Sequence, residues 1–180
     1  MDSRKKTLLL INIIGGAAVL GSYAWGLATH PGQGNALWGA VPQILREIST
    51  VTMLLAAAGW LIFYIFLLFK VDLDTVRINL GAGFKAFSVL SLAVLLPSAL
   101  WMPVTFAYIA HPSTLIWMVD RLVLILVGLA SLGLLSALMN IQPRKPALFF
   151  WLAFGGCAFL CIQTALMDAL IWANFFLPQL

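Results

Sequence analysis

The segment AFSVLSLAVLLPSALWMPVTFAYIA, residues Ala86 to Ala110, decides the fold class of this chain. It is long enough to cross a bilayer, because about 20 apolar residues span the hydrocarbon core. It also contains Pro97 and Pro103, and a proline removes a backbone donor and frees the carbonyl four residues earlier. Inside a membrane that carbonyl needs a partner from a neighbouring helix, a hydroxyl or water. We therefore predict a bent central helix that the other helices bury, with its outer half lining a cavity.

The composition of the whole chain agrees with this segment. Of its 180 residues, 63% are hydrophobic and 9% are charged, and the mean hydropathy is +1.04. A soluble domain would have about 25% charged residues. We predict an all-α polytopic membrane protein with one membrane domain, residues 1–180, in a bundle of five transmembrane helices. The net charge of +4 comes from residues that flank spans, so it does not indicate nucleic-acid binding.

Five apolar segments are separated by short polar stretches. The predicted spans are residues 8–28, 51–69, 86–110, 115–139 and 147–171, with a re-entrant or interfacial loop at 29–49. In the first span, Ala18, Ser22 and Gly26 recur every four residues, a pattern that lets another helix approach closely. A cleaved secretory signal at residues 1–28 is the alternative interpretation. The last span ends in WANFFLPQL, an aromatic tail suited to the membrane interface.

Basic residues predict the orientation. One side of the predicted bundle carries eight of them: Arg4, Lys5, Lys6, Lys70, Arg77, Lys85, Arg144 and Lys145. The other side carries Arg46 and Arg121. Cytoplasmic loops have an excess of Lys and Arg, so we predict a cytoplasmic N-terminus and an outside C-terminus, in a bacterial plasma membrane.

The fourth span begins with a charged pair. Asp120 and Arg121 lie six residues into its widest extent. Two interpretations remain open at this point. Either the helix proper covers residues 122–139, or an ion pair between the two side chains is drawn into the outer leaflet.

Asp168 is the ionisable residue that solvent exposure explains least well. A charge inside a span costs about 2.5–3.5 kcal/mol at the bilayer centre, so such residues tend to be paired and functional. Its predicted partner is Arg121 or His111. Small and polar residues recur along its helix at steps of four, three and four: Cys157, Cys161, Thr164 and Asp168. At 3.6 residues per turn these form one stripe, which is either a cavity wall or a set of packing residues with one interfacial charge.

The sequence provides little for catalysis or metal binding. Both histidines, His30 and His111, are predicted in loops, so haem ligation and metal sites are not expected. No nucleophile elbow, zinc-protease histidine pair or phosphate loop is present. We assign no catalytic residue, no metal and no resident cofactor.

Tryptophans are frequent, with seven in the chain. Those near span ends fit the aromatic belts of membrane interfaces. Trp60 and Trp101 lie deeper, where an indole N–H needs a partner. These two residues indicate either a pocket for a flat apolar ligand or ordinary packing within the bundle.

Three motifs give the chain a resemblance to a known family. They are WLIFY (Trp60 to Tyr64), LWMPVTF (Leu100 to Phe106) and LIWA (Leu170 to Ala173). They resemble the W-x-x-x-Y, L-W-x-P-x-F-F and last-helix tryptophan motifs of the tryptophan-rich sensory protein, or translocator protein (TspO), family. The chain lacks that family's W-x-P-P signature. The resemblance implies a five-helix membrane protein that binds porphyrins or sterols.

The leading hypothesis is a non-enzymatic protein that binds or transports a small hydrophobic molecule in a cavity within the bundle. The predicted ligand-binding residues are Trp60, Tyr64, Trp101, Pro103, Phe106, Arg121, Asp168 and Trp172. Its ligand would be porphyrin- or sterol-like and non-covalently held, and the protein could be a homodimer. The alternatives are an accessory or assembly subunit of a larger membrane complex and, third, an intramembrane enzyme that uses Asp168 with His111.

Overall fold

Five long helices form the fold. The computed structural model describes residues 2–78 and 83–176. Within these ranges the helices are α1 (Ser3–Thr29), α2 (Gln43–Lys70), α3 (Lys85–Ala110), α4 (Thr114–Met139) and α5 (Ala147–Phe175). Each is long and apolar enough to cross a membrane. The predicted all-helical class with five helices of membrane-spanning length is confirmed, and their crossing of a membrane stays a prediction. The end of the predicted aromatic tail, residues 177–180, lies outside the described residues.

Local sequence sets the helix ends. The side chain of Asp2 accepts a hydrogen bond from Arg4 N (2.8 Å) at the start of α1, and Ser113 Oγ accepts one from Ile116 N (3.2 Å) at the start of α4. Both bonds occupy backbone donors that have no partner within the first helical turn. Pro42 directly precedes α2, where its missing N–H costs nothing.

The helices alternate in direction, which gives the bundle two ends. We call the end where α1, α3 and α5 begin the basic end, because the eight clustered basic residues lie there, and the opposite end the far end. A short ribbon, β1 (Arg77–Ile78) with antiparallel β2 (Ile141–Gln142), joins two loops at the basic end. Lys5 Nζ donates to the carbonyls of Leu68 (2.9 Å) and Val71 (2.6 Å). A cation therefore occupies the C-terminal carbonyls of α2, where the helix dipole favours positive charge.

The packing order is α1, α3, α4, α5, α2. The α2–α5 contact is the tightest, because glycine faces glycine. A Cβ atom added to Gly59 would lie 2.5 Å from Gly156 Cα, and one added to Gly156 would lie 2.6 Å from Gly59 Cα. Small residues at such positions are what allows two membrane helices to approach through their backbones.

The position predicted for α3 needs correction. In the most apolar stretch of α4, 50% of the residues are buried, whereas in the most apolar stretch of α3 only 33% are buried. Large side chains of α3 such as Leu96 and Leu100 are more than half exposed. The helix that the others enclose is α4, because its small residues Gly128 and Ser131 let α5 pack closely.

The small-residue stripe predicted in α1 is also only partly correct. Gly26 is buried against Met102 and Phe106, but Ala18 is exposed. The second close contact is Gly15 against Leu95 on α3. Gly15 and Gly26 are eleven residues apart, close to three helical turns, so both face α3. Steps of four residues drift around the helix, which leaves Ala18 outside this contact.

Candidate functional site

Aromatic rings gather around Trp101 in the far half of the bundle. The ring of Tyr23 on α1 lies 5.7 Å from that of Trp101, and the ring of Trp172 on α5 lies 5.8 Å from it in an edge-on arrangement. The indole Nε1 of Trp101 is buried and has no hydrogen-bond partner within the described residues. A buried donor without a partner costs about 1–3 kcal/mol, so this N–H is available for an acceptor from outside the chain.

A polar network lies beside these rings, between α5 and α2. Gln163 is almost completely buried, and its Nε2 donates to Asp168 Oδ1 (2.8 Å) and lies 3.2 Å from Ser49 Oγ. Thr52 donates its hydroxyl to Gln163 Oε1. Trp172, whose ring meets that of Trp101, lies on the same helix four residues after Asp168.

A change of helix type brings Gln163 and Asp168 together. Residues Ile162–Trp172 of α5 form a π-helix, in which hydrogen bonds close every five residues rather than four. The wider turn brings side chains five apart closer to a common face than the 3.6-residue period of an α-helix does. The predicted stripe is split as a result: Thr164 hydrogen-bonds Ser131 of α4 (2.7 Å), whereas Asp168 joins the network that faces α2.

The predicted partner of Asp168 is wrong. Its carboxylate bonds to Gln163, and within residues 2–78 and 83–176 the single ion pair joins Arg4 to Asp2. The guanidinium of Arg121 lies over the ring of Trp117, 4.8 Å from its centre. The other predicted partner, His111, is an exposed residue at the end of α3, and no hydrogen bond joins it to Asp168. Depth in the membrane could be predicted from the sequence, but the direction in which each helix face points could not.

The ion pair predicted at the start of the fourth span is also wrong. The helix runs from Thr114 through Asp120 without interruption. The Asp120 side chain is 2% exposed, and its Oδ1 lies 3.1 Å from Thr105 Oγ1 of α3. It points into the bundle and meets a hydroxyl, rather than forming an ion pair in the outer leaflet.

The structure divides the predicted ligand-binding residues into two groups. Trp101, Pro103, Phe106, Asp168 and Trp172 lie in the far half of the bundle. Trp60 and Tyr64 lie in the basic half, where their rings are 4.8 Å apart and the hydroxyl of Tyr64 bonds Ser91. They belong to the main apolar core, so the structure does not bring them together with Trp101.

Several residues of the far half were missed by sequence reasoning. These are Tyr23, His30, Ser49, Thr52 and Gln163. His30 stacks on Phe106 with ring centres 4.0 Å apart, although its loop position indicated only a hydrated side chain. Gln163 lies within the predicted fifth span, where a polar side chain needs a partner. Its position in the sequence therefore indicated a polar contact inside the bundle.

The loop between α1 and α2 covers the far end of the bundle. Leu37 and Val41 are buried there, and Trp172 Nε1 donates to the carbonyl of Leu37 (2.8 Å). The loop therefore contacts the bundle through its apolar side chains and one backbone carbonyl. Its position relative to a membrane surface stays a prediction.

The far halves of α1 and α2 are not packed on each other. α1 packs on α3, α2 packs on α5, and the principal contact between α1 and α2 involves Phe66–Lys70 at the basic end. Tyr23 on α1 and Thr52 on α2 therefore lie on helices that do not pack on each other in the far half.

Comparisons with known proteins add no identity to this site. No protein-family model, curated protein or solved structure matches the chain. No group of three or more His, Cys, Asp or Glu side chains arranged to hold a metal ion occurs in the described part of the chain. The function is therefore inferred from the geometry of the far half.

Proposed function

We propose that the protein binds, and in doing so stores or transports, a small flat apolar molecule that carries one polar group. The observation that carries this proposal is the buried indole N–H of Trp101, which has no hydrogen-bond partner among the described residues. Tyr23 and Trp172 supply rings on either side of it. Apolar sites with a few polar groups aimed inward are the usual form of small-molecule sites.

The polar groups favour a sterol-like ligand over a porphyrin-like one. Asp168 Oδ1 accepts a bond from Gln163, while Oδ2 has no hydrogen-bond partner within the described residues. In the proposed complex, a ligand hydroxyl, which is both donor and acceptor, donates to this carboxylate or accepts from Trp101 Nε1. The carboxylates of a porphyrin would lack a basic partner here, because Arg121 lies over Trp117 rather than beside Asp168.

We infer that the ligand enters from the bilayer between α1 and α2, because these helices do not pack on each other in the far half. An apolar ligand that dissolves in lipid reaches Tyr23 and Thr52 without crossing water. We propose that the basic end faces the cytoplasm, because basic residues cluster there, and the bacterial plasma membrane stays a prediction. The resemblance of its motifs to the TspO family supports the same class of ligand.

Titration with dehydroergosterol, a fluorescent sterol, tests the proposal in protein purified in detergent. We expect saturable energy transfer from tryptophan at micromolar sterol, with protoporphyrin and haemin binding more weakly. Trp101→Phe should raise the dissociation constant about ten-fold, which corresponds to about 1.4 kcal/mol for one hydrogen bond. The matched control is Trp151→Phe, an exposed tryptophan near the basic end. Equal affinities of the two variants, or no saturation by folded wild-type protein, would refute the proposal.

A second candidate function, an accessory subunit of a larger membrane complex, is favoured by one observation. In the most apolar stretch of α1, only 11% of the residues are buried. Gly16 and Gly21 have no side chain near them within the described residues. A partner helix could pack on this face. Gentle affinity purification tests this function: a partner at fixed stoichiometry that Gly21→Leu removes would support it, and a stable, partner-free protein would refute it.

A further inference from the structure

A cavity of about 440 Å³ opens at the basic end, away from the far-half site. Its lining includes Lys70 and Lys145, together with Asp72 and Thr75, over a floor that contains Ile141 and Pro146. The volume falls within the range of about 300–1,000 Å³ that is usual for small-molecule sites.

The position of this cavity relative to the spans is informative. Lys70 is the last residue of α2, and Pro146 directly precedes α5. The cavity therefore lies where two spans leave the hydrocarbon region. Beside it in the chain, Phe69 and Leu148 are 70% and 68% exposed, so the surface on the membrane side of the cavity is apolar.

The two lysines are free to bind an anion. Neither forms an ion pair within residues 2–78 and 83–176. The carboxylate of Asp72 is held by its own turn, where Asp74 N (3.1 Å) and Thr75 Oγ1 (3.3 Å) donate to it. Lys70 Nζ lies over the ring of Phe149, 4.5 Å from its centre, which fixes the ammonium near the start of α5.

We propose that this cavity binds the phosphate-bearing headgroup of an anionic phospholipid, with Lys70 and Lys145 contacting the phosphate. The acyl chains would lie along Phe69 and Leu148. Basic pockets between spans on the cytoplasmic side are suited to anionic headgroups, and eight basic residues give this end of the bundle an attractive potential. A free phosphate ion would satisfy the lysines equally well but would gain nothing from the apolar flank.

Native mass spectrometry and thermal unfolding of the purified full chain test this proposal. The probes are phosphatidylglycerol, phosphatidylcholine with the same acyl chains, and inorganic phosphate. We expect one phosphatidylglycerol to stay bound and to raise the unfolding temperature, with no such effect from the other two. The double variant Lys70→Gln/Lys145→Gln should lower phosphatidylglycerol affinity at least ten-fold.

The matched control is Lys6→Gln/Lys85→Gln, which removes the same charge from exposed positions at the same end. It should retain phosphatidylglycerol as the wild type does. Equal losses in the two double variants would show diffuse surface attraction and overturn the proposal. Equal binding of phosphatidylcholine would do the same, and stabilisation by inorganic phosphate alone would show that the site takes the free ion rather than the lipid. If the cavity variant elutes as aggregate, the single exposed substitution Lys145→Gln is read by the same criteria.

Discussion

In the basic half of the bundle, large apolar side chains such as Phe63, Phe87 and Leu134 fill the space between helices and are at most 1% exposed. In the far half, by contrast, two carboxylates, a glutamine and a tryptophan N–H lie inside the bundle. The basic half is a packed core whose hydroxyls, such as that of Ser91, bond within the protein. The far half holds polar groups that packing alone does not require.

This difference indicates where stability and function reside. The basic half also has one buried acceptor without a partner within the described residues, Asn12 Oδ1. The same Asn12 side chain donates through Nδ2 to the Leu8 carbonyl. The indole N–H of Trp101 is the single donor of its side chain and lies among the rings of Tyr23 and Trp172. Substitutions in the basic half should change stability, and substitutions around Trp101 should change ligand binding more than stability.

The largest effect is expected from Gly59→Ala. The new Cβ would lie 2.5 Å from the Gly156 backbone, and backbone cannot rotate away as a side chain can. We expect a loss of about 3 kcal/mol of unfolding free energy, at the upper end of typical overpacking costs. Thermal unfolding in detergent measures it.

Gly155→Ala is the matched control, because it lies on α5 next to Gly156 but faces open space. It should be neutral or slightly stabilising, since alanine favours helix by about 1 kcal/mol over glycine. If Gly59→Ala were as stable as Gly155→Ala, the close α2–α5 contact would be wrong.

A smaller loss is expected from Leu134→Ala in the core of the basic half. Leu134 is completely buried, so truncation leaves a cavity. We expect the free energy of unfolding to fall by about 2 kcal/mol, the low end of the range for soluble cores. The loss is small because lipid supplies little hydrophobic driving force between helices. Leu129→Ala on the same helix, at a site 62% exposed, should cost much less. Equal losses would contradict the packed core.

A pair of tryptophan variants tests the far half. Trp172→Phe leaves the Leu37 carbonyl without its donor, whereas Trp101→Phe removes a donor that has no partner within the described residues. Both make the same change in volume. We therefore expect Trp172→Phe to be less stable by about 1 kcal/mol, the net worth of one hydrogen bond. The reverse order in thermal unfolding would show that Trp101 Nε1 already has a partner, and would weaken the proposed site.

The spans could be predicted because hydropathy and length suffice for them. A helix that satisfies its own backbone needs only enough apolar residues to cross the bilayer. α2 begins directly after Pro42, a residue suited to the start of a helix, and therefore includes Arg46 and Glu47. Such features depend on residues close together in the sequence.

The grouping of side chains across helices was harder to predict. Tyr64 stands six residues before Lys70, and Trp101 stands sixteen after Lys85. At about 1.5 Å per residue their depths differ by about 15 Å, so this arithmetic could have separated them. The π-helix in α5 has no recognisable local sequence pattern, and an assumed period of 3.6 residues therefore missed the pairing of Gln163 with Asp168.

The smallest effect concerns an exposed carboxylate at the basic end, the counterpart of the buried ones at the far end. Hydrogen bonds from the side chain and backbone of Arg4 lower the pKa of Asp2 below its ordinary value of 3.8. Because the pKa is lowered on folding, the helix cap is present above that ordinary value and is lost as the pH falls through the lowered pKa. We expect the Arg4 amide resonance, followed by NMR in micelles, to shift with a midpoint below pH 3.8.

Asp2→Asn should abolish this titration, and a midpoint at or above the ordinary value would show that the cap does not form. Since solvent screens an exposed pair, overall unfolding should change far less here than in Gly59→Ala, which places the stability of the bundle in its packed helices rather than in its surface charges.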